Sequence, residues 1–325
     1  MDNKEVKLDL KDKKLLHLLD FNARLPYSKI AKIIGLSKQG AEYKIKNLIK
    51  KGVIKGFYPV INVPKMGYLY CRLCLVLKSA TPEKEEEIIE YLKKDNRFFW
   101  VFTAQGVYDL LIVMWAKSIS EFKDAINDLL SKHGKYIKLK NESLTTDVIH
   151  YQHRYLLNIK ETKEIHIKET KELVEINNTE KEILKILCED ARIPVVKIAE
   201  KLKISPKVVS YAIKKLEKLK IIEGYRPIID HNKLGYTYYK LWINIHYENI
   251  SEIKKLYEYI KDNPIVLYVV KGVGLPEDLD VEVMVKTNQE LFSFVKDLKI
   301  KFPNLIEDYR TFMFIDTKKV RYLPF

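Results

Sequence analysis

The sequence predicts an α+β protein built twice over: two winged helix-turn-helix domains, each followed by a βαββαβ domain of ferredoxin-like order. Three observations carry this. Residues 26–56 hold two short amphipathic helices joined by the turn Ile34-Gly35-Leu36, then an apolar pair, Val53-Ile54, that begins a strand. The pattern returns 168 positions later without a gap, with 24 identities in 65 positions between Lys11–Leu75 and Thr179–Ile243. Behind the first copy the apolar pattern reads strand, helix, strand, strand, helix, strand, and a second such segment follows the second copy.

Taken in order, residues 1–10 are a charged lead-in. Lys11–Phe21, with Leu15, Leu16, Leu18 and Leu19, forms the first helix, and Pro26 suits the first turn of a second over Tyr27–Ile34. Ser37 is placed to cap the third. At 100° per residue its Ala41, Ile45 and Leu48 form one stripe, while Gln39, Tyr43, Lys46 and Lys50 lie opposite. Gly52 closes this helix, and Val53–Val63 with Gly56 reads as a hairpin wing, either a plain solvated hairpin or one from which Lys55 and Tyr58 touch backbone phosphate. Next come strand Leu69–Leu77, helix Pro82–Lys94, strands Phe98–Gln105 and Val107–Ala116, helix Ile119–Ser131 and extended Ile137–Tyr151. One face of such a sheet is bare and needs another sheet to cover it. Asn158–Asn178 is a charged linker, helical or an added strand pair. The domains are thus 1–63 and 179–231 for the helix-turn-helix copies, 64–157 and 232–325 for the βαββαβ copies, and 158–178 between them.

A helix face bearing an amide, a phenol and two ammonium groups suits the DNA major groove, where amides read base edges and cations meet phosphates. In the second copy Ser205 caps, Pro206 opens the helix, Val209, Ile213 and Leu216 form the stripe, and Lys207, Tyr211, Lys214 and Lys218 lie opposite. Packing alone does not explain a Tyr and two Lys retained on the outer side. The candidate DNA-binding residues are Lys38, Gln39, Tyr43, Lys44, Lys46, Lys50, Lys207, Ser210, Tyr211, Lys214 and Lys218.

The net charge of +14 is concentrated: residues 1–63 hold 14 basic against 6 acidic groups, and 179–231 hold 12 against 8. That concentration fits a module that binds a polyanion, here double-stranded DNA. Copy two also has Lys203 where copy one has Gly35, so the first module is expected to contribute more of the affinity.

Met1–Asp12 is polar and charged, unlike a secretory signal, and Phe98–Ala116 is interrupted by Gln105, Gly106 and Asp109, unlike a membrane span. A cytoplasmic protein is expected. Cys71 and Cys74 sit three apart in a strand and face opposite ways, and their repeat counterparts are Tyr239 and Trp242; His150 and His153 fail the same test. No metal, cofactor or catalytic constellation is expected, and the protein is read as no enzyme.

The stretches ARLPYSKIAKIIGLS, YKIKNLIKKGVIKGFYPVI and FTAQGVYDLLIV resemble the Lrp/AsnC family, the leucine-responsive class of regulators. The resemblance covers both halves. It implies a DNA-binding transcriptional regulator whose ferredoxin-like, ligand-binding domains pair sheet to sheet, here within one chain as a pseudo-dimer that higher homo-oligomers could extend. It also implies an amino acid effector near Gly106, Tyr108 and Asp109. The second half departs there, reading GVGLPEDLDVEV with roughly three inserted residues and a Pro. Two alternatives stand beside this: an enzyme like the siroheme decarboxylases, which look like the same paired fold, or a ligand sensor that no longer binds DNA. The strand VFTAQGVYDLLIV carries no His or Arg to serve a tetrapyrrole.

Overall fold

The computed structural model describes residues 5–161, 163–247 and 250–325. The first copy forms α1 (Leu10–Leu19), α2 (Tyr27–Ile34), α3 (Lys38–Lys50) and strand β1 (Ile54–Ile61). Its βαββαβ run is β2 (Leu69–Leu77), α4 (Pro82–Lys94), β3 (Phe98–Gln105), β4 (Leu110–Ala116), α5 (Ile119–His133) and β5 (Ile137–Tyr151). A short strand β6 (Glu164–Lys168) lies in the linker. The second copy follows as α6 (Asn178–Glu189), α7 (Val195–Leu202), α8 (Pro206–Lys218) and β7 (Ile222–Ile229), then β8 (Thr237–Ile245), α9 (Ile250–Asp262), β9 (Val266–Val273), β10 (Leu279–Val285), α10 (Asn288–Lys301) and β11 (Ile306–Val320).

The chain folds into two compact units. One gathers both helix-turn-helix copies, Met1–Asn62 and Val174–Tyr236, with Tyr151–Ile165; the other gathers Val63–His150 and Thr237–Phe325, with His166–Leu173.

In the first unit, side chains fix the helix starts by taking amides that have no helical partner. Ser37 Oγ accepts from the Gly40 N–H at 3.0 Å and Ser205 Oγ from Val208 at 3.3 Å. Asp9 with Asp12 and Asn177 with Glu180 form reciprocal capping boxes. Helix α2 ends on Gly35 in the left-handed conformation, and α7 ends the same way on Lys203 at φ 55° and ψ 41°. The turn therefore survives the loss of glycine, at a cost of about 1 kcal/mol for a side chain in that region.

The expected hairpin wing is not formed. Strand β1 is unbroken, and its partner is β7, antiparallel to it and 168 residues away in sequence. Phe57, Val60 and Ile61 are buried, so β1 needs a covered partner that a solvated hairpin would not give. Tyr58 pairs with Arg226, its own repeat equivalent, and Phe57–Pro227 mirrors Pro59–Tyr225, so a local two-fold axis crosses the ribbon. Lys55, a candidate for phosphate contact, pairs with Asp230 at 2.9 Å. Two repeated arginines clasp the modules reciprocally: Arg24 donates to the carbonyls of Ala191 and Ile193, and Arg192 to those of Ala23 and Leu25.

In the second unit the two βαββαβ halves close on each other. Strand β5 pairs with β2 up to Thr145 and passes to β9 over Leu144–His150; β11 pairs with β8 up to Met313 and passes to β3 over Met313–Val320. The strands run β2-β4-β3-β11-β8-β10-β9-β5, and β5 returns to β2, with β6 beyond β5. Each bare sheet face is thus covered by the other copy. Alternation sends Cys71, Leu73 and Leu75 toward Ile88, Leu92, Phe122 and Ile126 of α4 and α5, while Cys74 joins Trp242 and Phe312 between the halves. Val107–Asp109, expected in a strand, forms the turn before β4. Among the described residues no helix is long and apolar enough to cross a membrane.

Candidate nucleic-acid interface

Helix α3 buries Ala41, Ile45 and Leu48 and leaves Lys38, Gln39, Tyr43, Lys46 and Lys50 exposed. Helix α8 buries Val209, Ala212, Ile213 and Leu216 and leaves Lys207, Tyr211, Lys214 and Lys218 exposed, with Ser210 half-buried on the flank. The two phenols stand out alike, Tyr43 at 69% and Tyr211 at 71% exposure. A large aromatic side chain left this open in both copies is unexplained by packing.

Lys44 does not belong to this face. Its ammonium lies 2.7 Å from both Asp9 and Asp12, because position 44 falls on the packing side of α3, where copy two has buried Ala212. Burial works against its charge, but Asp12 and Asp9 outweigh burial and hold its pKa up. Lys46 is engaged one turn along the helix by Glu42, at 2.8 Å. Copy two has Ser210 at the position of Glu42. Its partnered cation is Lys215, which reaches back to Glu180 at 2.6 Å.

Outward, α3 presents Lys38, Lys46 and Lys50 with half-buried Glu42 beside them, and α8 presents Lys207, Lys214 and Lys218 with half-buried Glu217 beside them, so the two faces carry equal numbers of lysines. The larger excess of the first module is partly spent elsewhere, on Asp9, Asp12 and Asp230 and on backbone carbonyls.

The three effector candidates lie in the second unit. Tyr108 is buried edge-on against Trp242 and Phe312, with ring centroids 5.3 and 6.4 Å away. Asp109 accepts the Leu77 N–H at 2.7 Å, and Asp278 does the same for Ile245 at 2.8 Å. Gly106 has φ 134°, and a Cβ there would lie 2.9 Å from Phe312. Strands β4 and β10 lie 169 positions apart and β3 and β9 lie 168, so the second turn holds one inserted residue, not three. That register makes Glu277 the counterpart of Tyr108.

Sequence reasoning missed a buried cluster in the first unit, because its members are far apart in the chain. Asp20 accepts from Arg226 Nε at 2.6 Å and Nη2 at 3.1 Å, and from the His153 N–H at 2.7 Å. His153 packs against His231, 5.7 Å between ring centroids, and His231 Nδ1 lies 2.8 Å from the Tyr155 hydroxyl. Burial and the nearby Arg226 hold His153 well below the usual histidine range; burial, with His153 and Arg226, lowers His231 to about 3. Burial also lowers His17. The guanidinium already supplies the cation that Asp20 needs.

Two outward helices of one kind, held by a shared two-fold ribbon and reciprocal arginines, define a tandem helix-turn-helix protein. The winged helix-turn-helix DNA-binding family matches twice, at residues 8–55 and 176–223. The HTH-type transcriptional regulator LrpA of Pyrococcus abyssi is 33% identical over 125 residues, spanning 38% of this chain and 87% of that protein. The regulator FL11 of Pyrococcus horikoshii is 30% identical over 148 residues, 44% of this chain and 97% of its own. The chain belongs to the Lrp/AsnC family of helix-turn-helix transcriptional regulators, with one relative's length matching one copy. Among solved structures, the siroheme decarboxylase NirDL shares the fold over 96% of this chain and 93% of its own, with a TM-score of 0.64 and 13% identity.

Proposed function

We propose that the protein is a sequence-specific DNA-binding transcriptional regulator that engages an imperfectly symmetric operator with α3 and α8 together. The observation that carries this reading is the repeated outward face, a Tyr and two Lys at equivalent positions in both copies. The ribbon supports it: eight residues of antiparallel strand span about 24 Å, and the helices leave from its opposite ends.

Lys38, Lys46, Lys50, Lys207, Lys214 and Lys218 supply phosphate contacts, and Gln39 and the two tyrosines meet base edges. Lys44 acts from behind, by holding α1 to α3. An amino acid effector at Gly106, Tyr108 and Asp109 would meet residues already engaged with Phe312, Trp242 and the Leu77 amide, so it has to act by moving this turn.

The test is binding of the purified chain to its own upstream DNA, with random duplex as competitor, across a salt series and with pooled amino acids. Specific, salt-steep binding is expected, and a shift with one amino acid would establish the effector. No binding at low salt, with a coloured preparation that decarboxylates siroheme, would replace the regulator by the enzyme. A colourless chain that binds amino acids and no DNA would be a sensor.

A further inference from the structure

Val208 stands 47% exposed in the first turn of α8, beside Lys207 and one turn before Tyr211. Its repeat equivalent is Gly40, so a nearly bare backbone in α3 is replaced by two methyl groups in α8. A β-branched residue brings no helix propensity to an exposed position and hides no apolar surface there. Gly40 is likewise costly inside a helix relative to alanine. A Cβ at position 40 would lie 3.1 Å from the capping Ser37 Oγ, yet Val208 carries its Cβ at the same place beside the capping Ser205, so the cap decides neither residue.

The first turn of a recognition helix is the part that meets base edges in the major groove. The apolar group displayed there is the 5-methyl of thymine. We propose that Val208 reads a thymine methyl in the half-site taken by α8, a contact that Gly40 cannot make in the half-site taken by α3. Around it the two helices differ again: Lys207 suits the acceptor edge of guanine, whereas Gln39 at the equivalent position suits adenine. The two half-sites then differ at adjacent steps, and the operator fixes the direction in which the chain lies on DNA. This assignment rests on the DNA-binding reading above and names the sequence feature that one helix recognises.

The experiment takes duplexes selected by the full chain from a random pool and replaces each thymine in turn by deoxyuridine, which deletes the methyl alone. One thymine in one half-site should lose about fourfold in affinity, the factor for returning one methyl to water. Val208→Ala should bind the parent duplex more weakly and ignore the uridine, closing a double-mutant cycle on this contact. If Val208→Ala melts at a lower temperature than the parent chain, Val208→Thr, which keeps the branch and one methyl, should lose part of the same sensitivity. Tolerance of uridine at every thymine, or equal sensitivity in the variants, overturns the assignment while leaving DNA binding in place. Failure of any duplex to enrich overturns the DNA-binding reading and the assignment with it.

Discussion

Arg72 on β2 and Lys240 on β8 occupy equivalent places in the two halves of the closed sheet, yet every acid that neutralises them comes from the second half. Asp280 meets both cations, Glu277 meets Arg72 at 2.7 Å, and Glu282 meets Lys240 at 2.6 Å. The first half has Leu111, Tyr108 and Val113 at the equivalent positions. All five charged groups are buried or nearly so. Two copies of the first half would therefore bury two unpaired arginines, whereas first against second satisfies both cations. The recognition helices show the opposite pattern at three outward positions, where a Tyr and two Lys are the same in both copies. The copies thus diverged at the charges buried in the closed sheet, while Tyr43 and Tyr211, Lys46 and Lys214, and Lys50 and Lys218 stayed alike on the recognition helices.

The largest effect should come from breaking this core. Asp280→Leu, which copies the first half's residue into the second, removes the carboxylate that Arg72 and Lys240 share and should cost about 4 kcal/mol in chemical denaturation. A loss below about 1 kcal/mol would mean the charges are solvated and the pairing argument fails. Glu277 and Glu282 are pushed up to about 8 mainly by burial, whereas Lys240 and Arg72 hold Asp280 below the usual carboxylate range against the opposing effect of its burial.

The first unit has its own asymmetric core, and pH addresses it. His231 is held near 3 against an ordinary value of 6.5, so its contribution is complete above 6.5 and is lost as pH falls through the window toward 3. At pH 5 this amounts to about 2 kcal/mol, with further loss in the same direction from His17 and His153. Thermal melts should show the midpoint falling between pH 7 and 5, and His231→Gln should reduce the fall. An unchanged drop in that variant would place the titration elsewhere.

Much of the fold was legible in the sequence because it rests on local periodicity. Tyr27–Ile34, Leu69–Leu77 and Pro82–Lys94 form with the bounds their apolar patterns give. Pairing was not legible. The alternation in β1 shows a strand, but nothing in residues 53–63 says that its partner begins at Ile222 and not across a local hairpin. At the site, the buried stripe of each recognition helix reads directly, and Gln39, Tyr43, Tyr211 and Lys214 are exposed as expected. Lys44 misleads because a long side chain on the flank follows its partners, and Asp9 and Asp12 are set by the path of α1. His17, His153 and His231 come from three distant segments, so no spacing announces them.

Two smaller effects sharpen the comparison of the reading modules. Lys203→Gly should relieve the left-handed side chain that ends α7 and stabilise the protein by about 1 kcal/mol, measured by denaturation; Gly35→Ala in the first copy should destabilise it by a similar amount. Glu42→Gln frees Lys46 and removes the acid beside the first reading face, so DNA affinity should rise about two- to threefold, within what an exposed pair commands. A fall in affinity would show instead that Glu42 accepts a base donor.

The most direct test of two helices reading one DNA is the salt dependence of binding by the full chain, compared among the parent, Lys46→Ala, Lys214→Ala and the double variant. Each single change should lower the slope of log affinity against log salt by about one and the double change by about two, with Lys214→Ala losing more affinity because Lys46 must first leave Glu42. A slope untouched by either single change would contradict simultaneous engagement of α3 and α8.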